Sequence, residues 1–152
     1  MFRKAVSEDC LSVYHLICDL EKQELPFDIF QSIYTEQLES RSHSILVCEL
    51  DETVAGVLHM RFERQLHHCD TIAEIMEFAI DPAFRSQGIG KAMLEYACDV
   101  AKEAGCSQIE LATNQLRKDA HRFYAREGLR NFHYKSSKSL TSETTDVNRL
   151  GR

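Results

Sequence analysis

The sequence predicts a mixed α/β fold: a mostly antiparallel sheet flanked by helices. Three observations carry this. Two strand-like runs, residues 44–50 (SILVCEL) and 53–64, flank a two-residue connection, Asp51-Glu52, as in an antiparallel hairpin. A third run, 70–80 (DTIAEIMEFAI), follows and stops at Asp81-Pro82, because proline cannot donate to a strand ladder. An amphipathic stretch over 88–104 then separates that run from another at 109–113, the spacing of a strand–helix–strand crossover.

The remaining elements follow in order. Residues 2–5 make a short first strand. Ser7 is placed to cap a helix whose apolar positions recur at Leu11, Tyr14, Ile17 and Cys18. A second helix begins near Pro26, a residue tolerated in a first turn, with Phe27, Phe30, Ile33, Tyr34 and Leu38 on its apolar face. The helix over 88–104 buries Ile89, Met93, Tyr96, Ala97 and Val100 and ends at Gly105. Residues 119–127 form a helix closed by Gly128, and 129–136 a last strand. One domain is expected over residues 1–136, with 137–152 as a polar, flexible tail that has no periodic apolar face.

Composition narrows the function. A chain of 152 residues that is 43% hydrophobic and 28% charged is ordinary for one globular domain with a real core. No apolar run approaches the roughly 20 residues needed to span a bilayer, and the N-terminus lacks the apolar stretch of a signal peptide. A cytoplasmic protein without membrane association is therefore expected. Its six cysteines show no CxxC pair and no zinc-finger spacing, so reduced thiols are expected. A formal net charge of −6 argues against broad nucleic-acid binding and mildly favours a cationic partner such as an amine.

The most informative stretch is residues 85–91, Arg-Ser-Gln-Gly-Ile-Gly-Lys, between a strand and a helix. Glycines let the backbone turn tightly there and approach a ligand closely. The first N–H groups of a helix have no partners within it, and its dipole favours anions, so a pyrophosphate is the natural guest. The patterns GxxxxGK[ST] and GxGxxG are both absent. What is present is RxxGxG after a strand ending in Asp-Pro. The stretch EIMEFAIDPAFRSQGIGKAML resembles the acetyl-CoA signature of the GNAT N-acetyltransferases. DAHRFYAREGL resembles a later motif of the same family, a helix carrying a Tyr and ending in Glu-Gly-hydrophobic. RxxGxG alone is a weak signal; the strand before it, the FYxxxG helix after it and their spacing make it strong.

The resemblance, which runs over roughly residues 2–136, implies a splayed central strand that opens an acetyl-CoA cleft. It implies that the backbone of Phe78, Ala79 and Ile80 meets the thioester. Ser86, Gln87, Gly88, Ile89, Gly90 and Lys91 would hold the pyrophosphate, with Arg85 assisting or else forming a surface salt bridge. It also implies an acid for the departing thiolate at Tyr124, whose plainer reading is a packed helix aromatic. Glu74 matches the position of a catalytic glutamate and is taken as the base. Glu77 is its reserve or a substrate contact, and a solvated strand carboxylate is the plainer reading of either. Ideal alternation puts the two on opposite faces, since their separation is odd, unless a bulge intervenes. A carboxylate in an apolar cleft would have a raised pKa. Where many GNAT enzymes carry an Asn seven residues before the Tyr, this chain has Arg117; Asn114 can substitute in contacting the pantetheine arm.

The combination of Leu66-His67-His68, EIMEF and DAHRFYAREG is similar to one branch, the aminoalkylphosphonate N-acetyltransferases. That resemblance implies a small primary amine bearing a phosphonate as acceptor, and a divalent metal. His67 or His68, with Glu77 or Asp70, has the chemistry to bind one, although adjacent histidines point to opposite faces. Arg117, Lys118 or His121 can neutralise a phosphonate, and His121 shares a helix face with Tyr124. The other histidines, His15, His43, His59 and His133, have no readable spacing. The alternatives are a protein or peptide N-acetyltransferase and a noncatalytic acetyl-CoA-binding regulator; the presence of both Glu74 and Tyr124 argues against the second. A homodimer paired through the strand at 129–136 is a further expectation.

Overall fold

The strand-like runs pair in the order in which they occur. In a computed structural model that describes residues 1–113 and 117–141, β1 (Phe2–Lys4) precedes α1 (Cys10–Glu21) and α2 (Phe27–Glu39). Then come β2 (His43–Leu50), β3 (Thr53–Gln65), β4 (Asp70–Ile80), α3 (Ile89–Glu103), β5 (Gln108–Leu111) and α4 (Lys118–Arg126). The five strands form one sheet, ordered β1-β2-β3-β4-β5, and the first four neighbour each other antiparallel. Asp51 and Glu52, at φ 48° and 61°, form the tight turn that joins β2 to β3. The chain divides into two compact units, Met1–Glu110 and Leu111–Arg152.

In the first unit both faces of the sheet are covered. Ile45, Val47, Val57 and Ala79 form one core cluster with Val13, Leu16 and Ile17 of α1 and Tyr34 of α2. Leu46, Leu58 and Met60 alternate with these along the strands and are fully buried on the other face. There α3 brings Met93, Leu94 and Ala97, and a Cβ on Gly56 would come within 2.8 Å of both Met93 Sδ and Ile80 Cδ1. Each buried Leu, Ile or Val contributes roughly 1.5–3 kcal/mol of hydrophobic stabilisation.

Several expectations change in detail. Ser7 does not cap α1; it opens a 3-10 turn, Ser7–Asp9, in which the Asp9 carboxylate accepts from the Val6 N–H at 2.9 Å. That turn rotates the helix that follows, so Val13 and Leu16 are buried while Leu11 is exposed. Ile33 is also exposed, because α2 seats Tyr34 in the core instead. All six cysteines are free thiols. Residues 129–136 form no strand: a strand exists only through a partner ladder, and Phe132 and Tyr134 stand exposed rather than packed on a sheet. Dimer formation through such a strand loses its basis. Residues 142–152, most of the expected tail, lie outside the described residues.

In the second unit, α4 ends at Gly128, whose φ of 87° closes the helix, with Gly128 and Leu129 N–H groups donating to Ala125 and Tyr124 carbonyls. Arg122 and Asp119 pair one turn apart on its surface.

Asp9 is 6% exposed, and its carboxylate accepts from both Nη atoms of Arg3, at 2.7 and 3.0 Å. Hydrogen bonding from Arg3 holds Asp9 below the usual carboxylate range against the opposing effect of burial. The depressed pKa gives stability that is present above the unfolded value near 3.9 and lost as pH falls through the folded value. Arg3→Met is therefore expected to cost about 2–3 kcal/mol at pH 7, below the range for a fully buried pair because Arg3 is partly exposed. Urea titrations at pH 7 and at progressively lower pH check this: the penalty should shrink as pH falls below the unfolded value and through the folded one.

Candidate active site

The loop between β4 and α3 is built on unusual backbone. Ser86 and Gly88 have φ of 63° and 79°, so the chain doubles back before α3 begins at Ile89. Only Gly takes this conformation without strain, and a Cβ added at Gly88 would meet nothing within 4 Å. No side chain caps α3, although it runs for 15 residues. The N–H groups of Ile89, Gly90 and Lys91 thus sit at the positive end of a long helix, beside an open space at Gly88. This cradle fits a pyrophosphate. Arg85 flanks it, with Nε donating to the Ile80 carbonyl at 3.2 Å and an ion pair to Asp19 at 3.4 Å. Ser86, Gln87 and Lys91 are exposed on the same loop and first turn.

Phe78, Ala79 and Ile80 end β4, paired on one side with Leu58, Val57 and Gly56. On the other side Ser107 N–H donates to the Thr71 carbonyl at 3.1 Å, so the four residues of β5 flank the start of β4. The end of β4 extends beyond them, leading toward the α3 cradle.

The face parity of the carboxylates is corrected. His59 pairs with Glu77 and Arg61 with Glu74, so three residues on β3 face four on β4. The extra residue is a β-bulge at Met76, and it brings Glu74 and Glu77 to one face. Three cross-strand rows result on that face, from β2 through β3 to β4. They are Val47–Val57–Ala79, then Ile45–His59–Glu77, then His43–Arg61–Glu74. Glu74 does not lie in an apolar cleft: it accepts from Arg61 Nη2 at 2.8 Å and is 24% exposed. Arg61 also reaches Glu63 at 3.5 Å, and its Nε is buried with no hydrogen-bond partner among the described residues. Sequence reasoning missed His43, His59 and Arg61 because their placement depends on register.

Among the described residues no group of three or more His, Cys, Asp or Glu is placed to hold a metal ion. His67 and His68 occupy the exposed β3–β4 turn, their ring centroids 4.2 Å apart, with His68 Nδ1 2.6 Å from Gln65 Oε1. They are neighbours on an exposed turn.

In the second unit, Tyr124 and His121 lie on α4, three residues apart, and the Phe123 and Tyr124 rings meet edge-on at 5.3 Å. Burial pushes the Tyr124 phenol up, with Arg117 opposing. It is therefore protonated, and able to donate, at neutral pH. Arg117 is exposed at the N-terminus of α4, followed by Lys118 in its first turn. Asn114 lies outside the described residues.

Residues 11–129 match the Acetyltransferase (GNAT) family. The chain belongs to the GNAT acetyltransferase family. Over 140 residues it is 41% identical to the "Aminoalkylphosphonate N-acetyltransferase" of Salmonella typhimurium, covering 91% of this chain and 90% of that one. A transcriptional regulator from Bacillus halodurans has the same fold, with TM-score 0.85 and 26% identity over 92% of this chain and 99% of that one. Glucosamine-6-phosphate N-acetyltransferase from Arabidopsis thaliana shares the fold at TM-score 0.77 and 22% identity, over 93% and 98% of the two chains. As a GNAT enzyme the protein is an acetyl-CoA-dependent N-acetyltransferase.

Gly88→Val places a branched side chain where φ is positive and fills the space beside the α3 N–H groups. About 1–2 kcal/mol of backbone strain is expected. Acetyl-CoA binding should weaken about tenfold or more by calorimetry, with the folded content unchanged by circular dichroism.

Proposed function

We propose that this enzyme transfers the acetyl group of acetyl-CoA to the primary amine of a small aminoalkylphosphonate. The observation that carries the reading is the 41% identity, over nearly all of both chains, to an enzyme named for that acceptor. The β3–β4 face supports it independently. An aminoalkylphosphonate is a zwitterion, and this face offers both signs at close range. Glu74 and Glu77 suit an ammonium, while the partly exposed Arg61 guanidinium suits an anionic oxygen. Arg117, Lys118 and His121 are further candidates for the phosphonate. A polyamine, by contrast, would set a second cation against Arg61.

An amine attacks only after losing its proton. Glu74 Oε2 already accepts from Arg61 Nη2 at 2.8 Å, which fixes the carboxylate beside a cation. We therefore assign the proton transfer to Glu77 and give Glu74 the task of holding the ammonium. The freed nitrogen bonds to the thioester carbonyl carbon, held by backbone at Phe78, Ala79 and Ile80, and the carbon–sulfur bond breaks. Tyr124, protonated at neutral pH, is the proposed proton donor to the departing thiolate. Arg85, Ser86, Gln87, Gly88, Ile89, Gly90 and Lys91 anchor the pyrophosphate, while Arg117 or Asn114 meets the pantetheine arm. Residues 1–136 act as one acetyltransferase domain in this reading, supported by a family match that runs through both compact units. The compartment proposed is the cytoplasm, where acetyl-CoA is available; among the described residues no helix is long and apolar enough to cross a membrane.

Coenzyme A release against a panel of amines tests the proposal. Aminomethyl- and aminoethylphosphonate should turn over with kcat/KM at least tenfold above polyamines, aminoglycosides and N-terminal peptides. Glu77→Gln should lower kcat about 10²–10⁴-fold, the usual share of a general base. Tyr124→Phe should lower it about 10–10²-fold. Preference for a peptide overturns the acceptor class. Binding of acetyl-CoA without turnover of any amine would instead favour a regulator, the role for which the Bacillus halodurans protein is named.

A further inference from the structure

Two histidines stand in the same rows as the carboxylates. His59 is 7% exposed and lies directly opposite Glu77, a relation that sets Cβ atoms about 4.5–5.5 Å apart. His43, half-buried near the start of β2, is its diagonal neighbour. His59 Nε2 and His43 Nδ1 are 2.9 Å apart, and the two rings stack with centroids at 5.1 Å and planes at 27°. Hydrophobic packing gives no reason for two imidazoles here, since the row above is filled by Val47 and Val57. A bond between two ring nitrogens needs one donor and one acceptor, so the pair carries at most one positive charge while the bond stands. The pair also has a direction, from a buried ring beside Glu77 to a ring at the sheet's partly exposed end.

We propose that His59 and His43 conduct the amine's proton from Glu77 to solvent. The inference rests on the reading that Glu77 takes that proton. Glu77 passes it to His59 Nδ1. The proton already on His59 Nε2 crosses the 2.9 Å bond to His43 Nδ1, and His43 Nε2 releases its own proton to water. One proton enters and one leaves. Glu77 returns to its anion, and both rings end neutral in the other tautomer. After product leaves, His43 Nε2 takes a proton from solvent, the proton on His43 Nδ1 returns to His59 Nε2, and His59 Nδ1 releases its proton to water on the acceptor side, which restores the starting tautomers.

The surroundings suit a neutral relay. Burial and then Arg61 hold His43 below its ordinary pKa, against Glu36 of α2, so the ring is neutral at neutral pH and has one nitrogen able to accept. On the sheet the pair faces Arg61, Glu74 and Glu77. From α1, the residues in the core cluster beside Ile45 include Val13, Leu16 and Ile17.

The test uses the full chain with its best acceptor. His43→Ala should lower kcat about tenfold or more while leaving the Kd for acetyl-CoA unchanged. Added imidazole should restore kcat in a concentration-dependent way. Pyrazole has the same size and takes up no proton near neutral pH, so it should not. His59→Gln keeps the bulk of the buried side chain and should show the same loss. Wild-type kcat in both histidine variants, or equal rescue by pyrazole, overturns the relay. Glu77→Gln separates the two readings. If it is slow while the histidine variants are not, the relay alone fails; if it keeps wild-type kcat, the base assignment fails and the relay with it. Should no amine be turned over, ¹⁵N spectra of the rings decide. A relay requires one coupled titration that moves in Glu77→Gln, and two independent titrations overturn it.

Discussion

An antiparallel ladder can absorb one extra residue only by breaking its spacing, and in β4 the break falls at Met76. Everything proposed for the acceptor side depends on it. Without the bulge, the register set by Gln65 and Asp70 would place Glu77 opposite Leu58, on the face that α3 covers. A carboxylate there would be buried among Leu46, Met60 and Met93, with a desolvation cost of several kcal/mol. With the bulge, Glu77 turns to the face of Glu74 and meets His59 instead of leucine. The strand before the bulge carries ionisable groups, and the strand after it runs on to the backbone of Phe78, Ala79 and Ile80. One irregularity thereby joins a side-chain site to a backbone site along a single strand.

The rows across β2, β3 and β4 show how an apolar core grades into a reactive surface. Val47–Val57–Ala79 belongs to the cluster sealed by α1 and α2. Ile45–His59–Glu77 is half apolar and half ionisable, and His43–Arg61–Glu74 is ionisable throughout. Burial falls along the same direction: Val57 is fully buried, His59 is 7% exposed and the Arg61 side chain is 37% exposed. Charge in the third row is compensated by the 2.8 Å pair between Arg61 and Glu74, and the second row sets a carboxylate beside an imidazole. At the other end of the sheet, Arg3 and Asp9 form a separate buried pair that fixes β1 and the turn into α1, far from any proton-transfer role.

The parts legible in the sequence are those governed by local chemistry. Asp51-Glu52 between two alternating runs gave the hairpin, Asp81-Pro82 marked the end of β4, and Gly88 marked the turn into α3. Register was not legible. A second bulge, between Cys48 and Glu49, shifts β2 against β3. Extending the register from Leu50 and Thr53 without it would set Ser44 opposite His59 and send His43 to the other face. Two bulges thus decide that five ionisable groups converge; Gly56 flanks the bulge in β3, whereas neither a glycine nor a proline flanks the one at Met76. Residues 129–136 failed for a related reason. Their alternation of Leu129, Asn131 and His133 against Phe132 and Tyr134 is compatible with a strand, but alternation states no partner.

This asymmetry between the two ends of the site has a physical origin. Pyrophosphate recognition uses main-chain N–H groups at a helix start, so it asks of the sequence only a few small residues at fixed spacing. That minimal demand survives as a readable pattern, RSQGIGK, wherever the cradle is built. Acceptor recognition in the proposed reading uses Glu74 and Glu77 from one strand and Arg61 and His59 from another, with His43 from a third. These residues are scattered over 35 positions and acquire meaning only when three strands align. Replacing His59 or Arg61 would leave the glycine loop, the strand order and the family resemblance intact while changing which amine can be held and deprotonated. The family is therefore marked by the backbone end of the site, and in the proposed reading the acceptor is chosen by side chains whose alignment depends on one extra residue in β3 and one in β4.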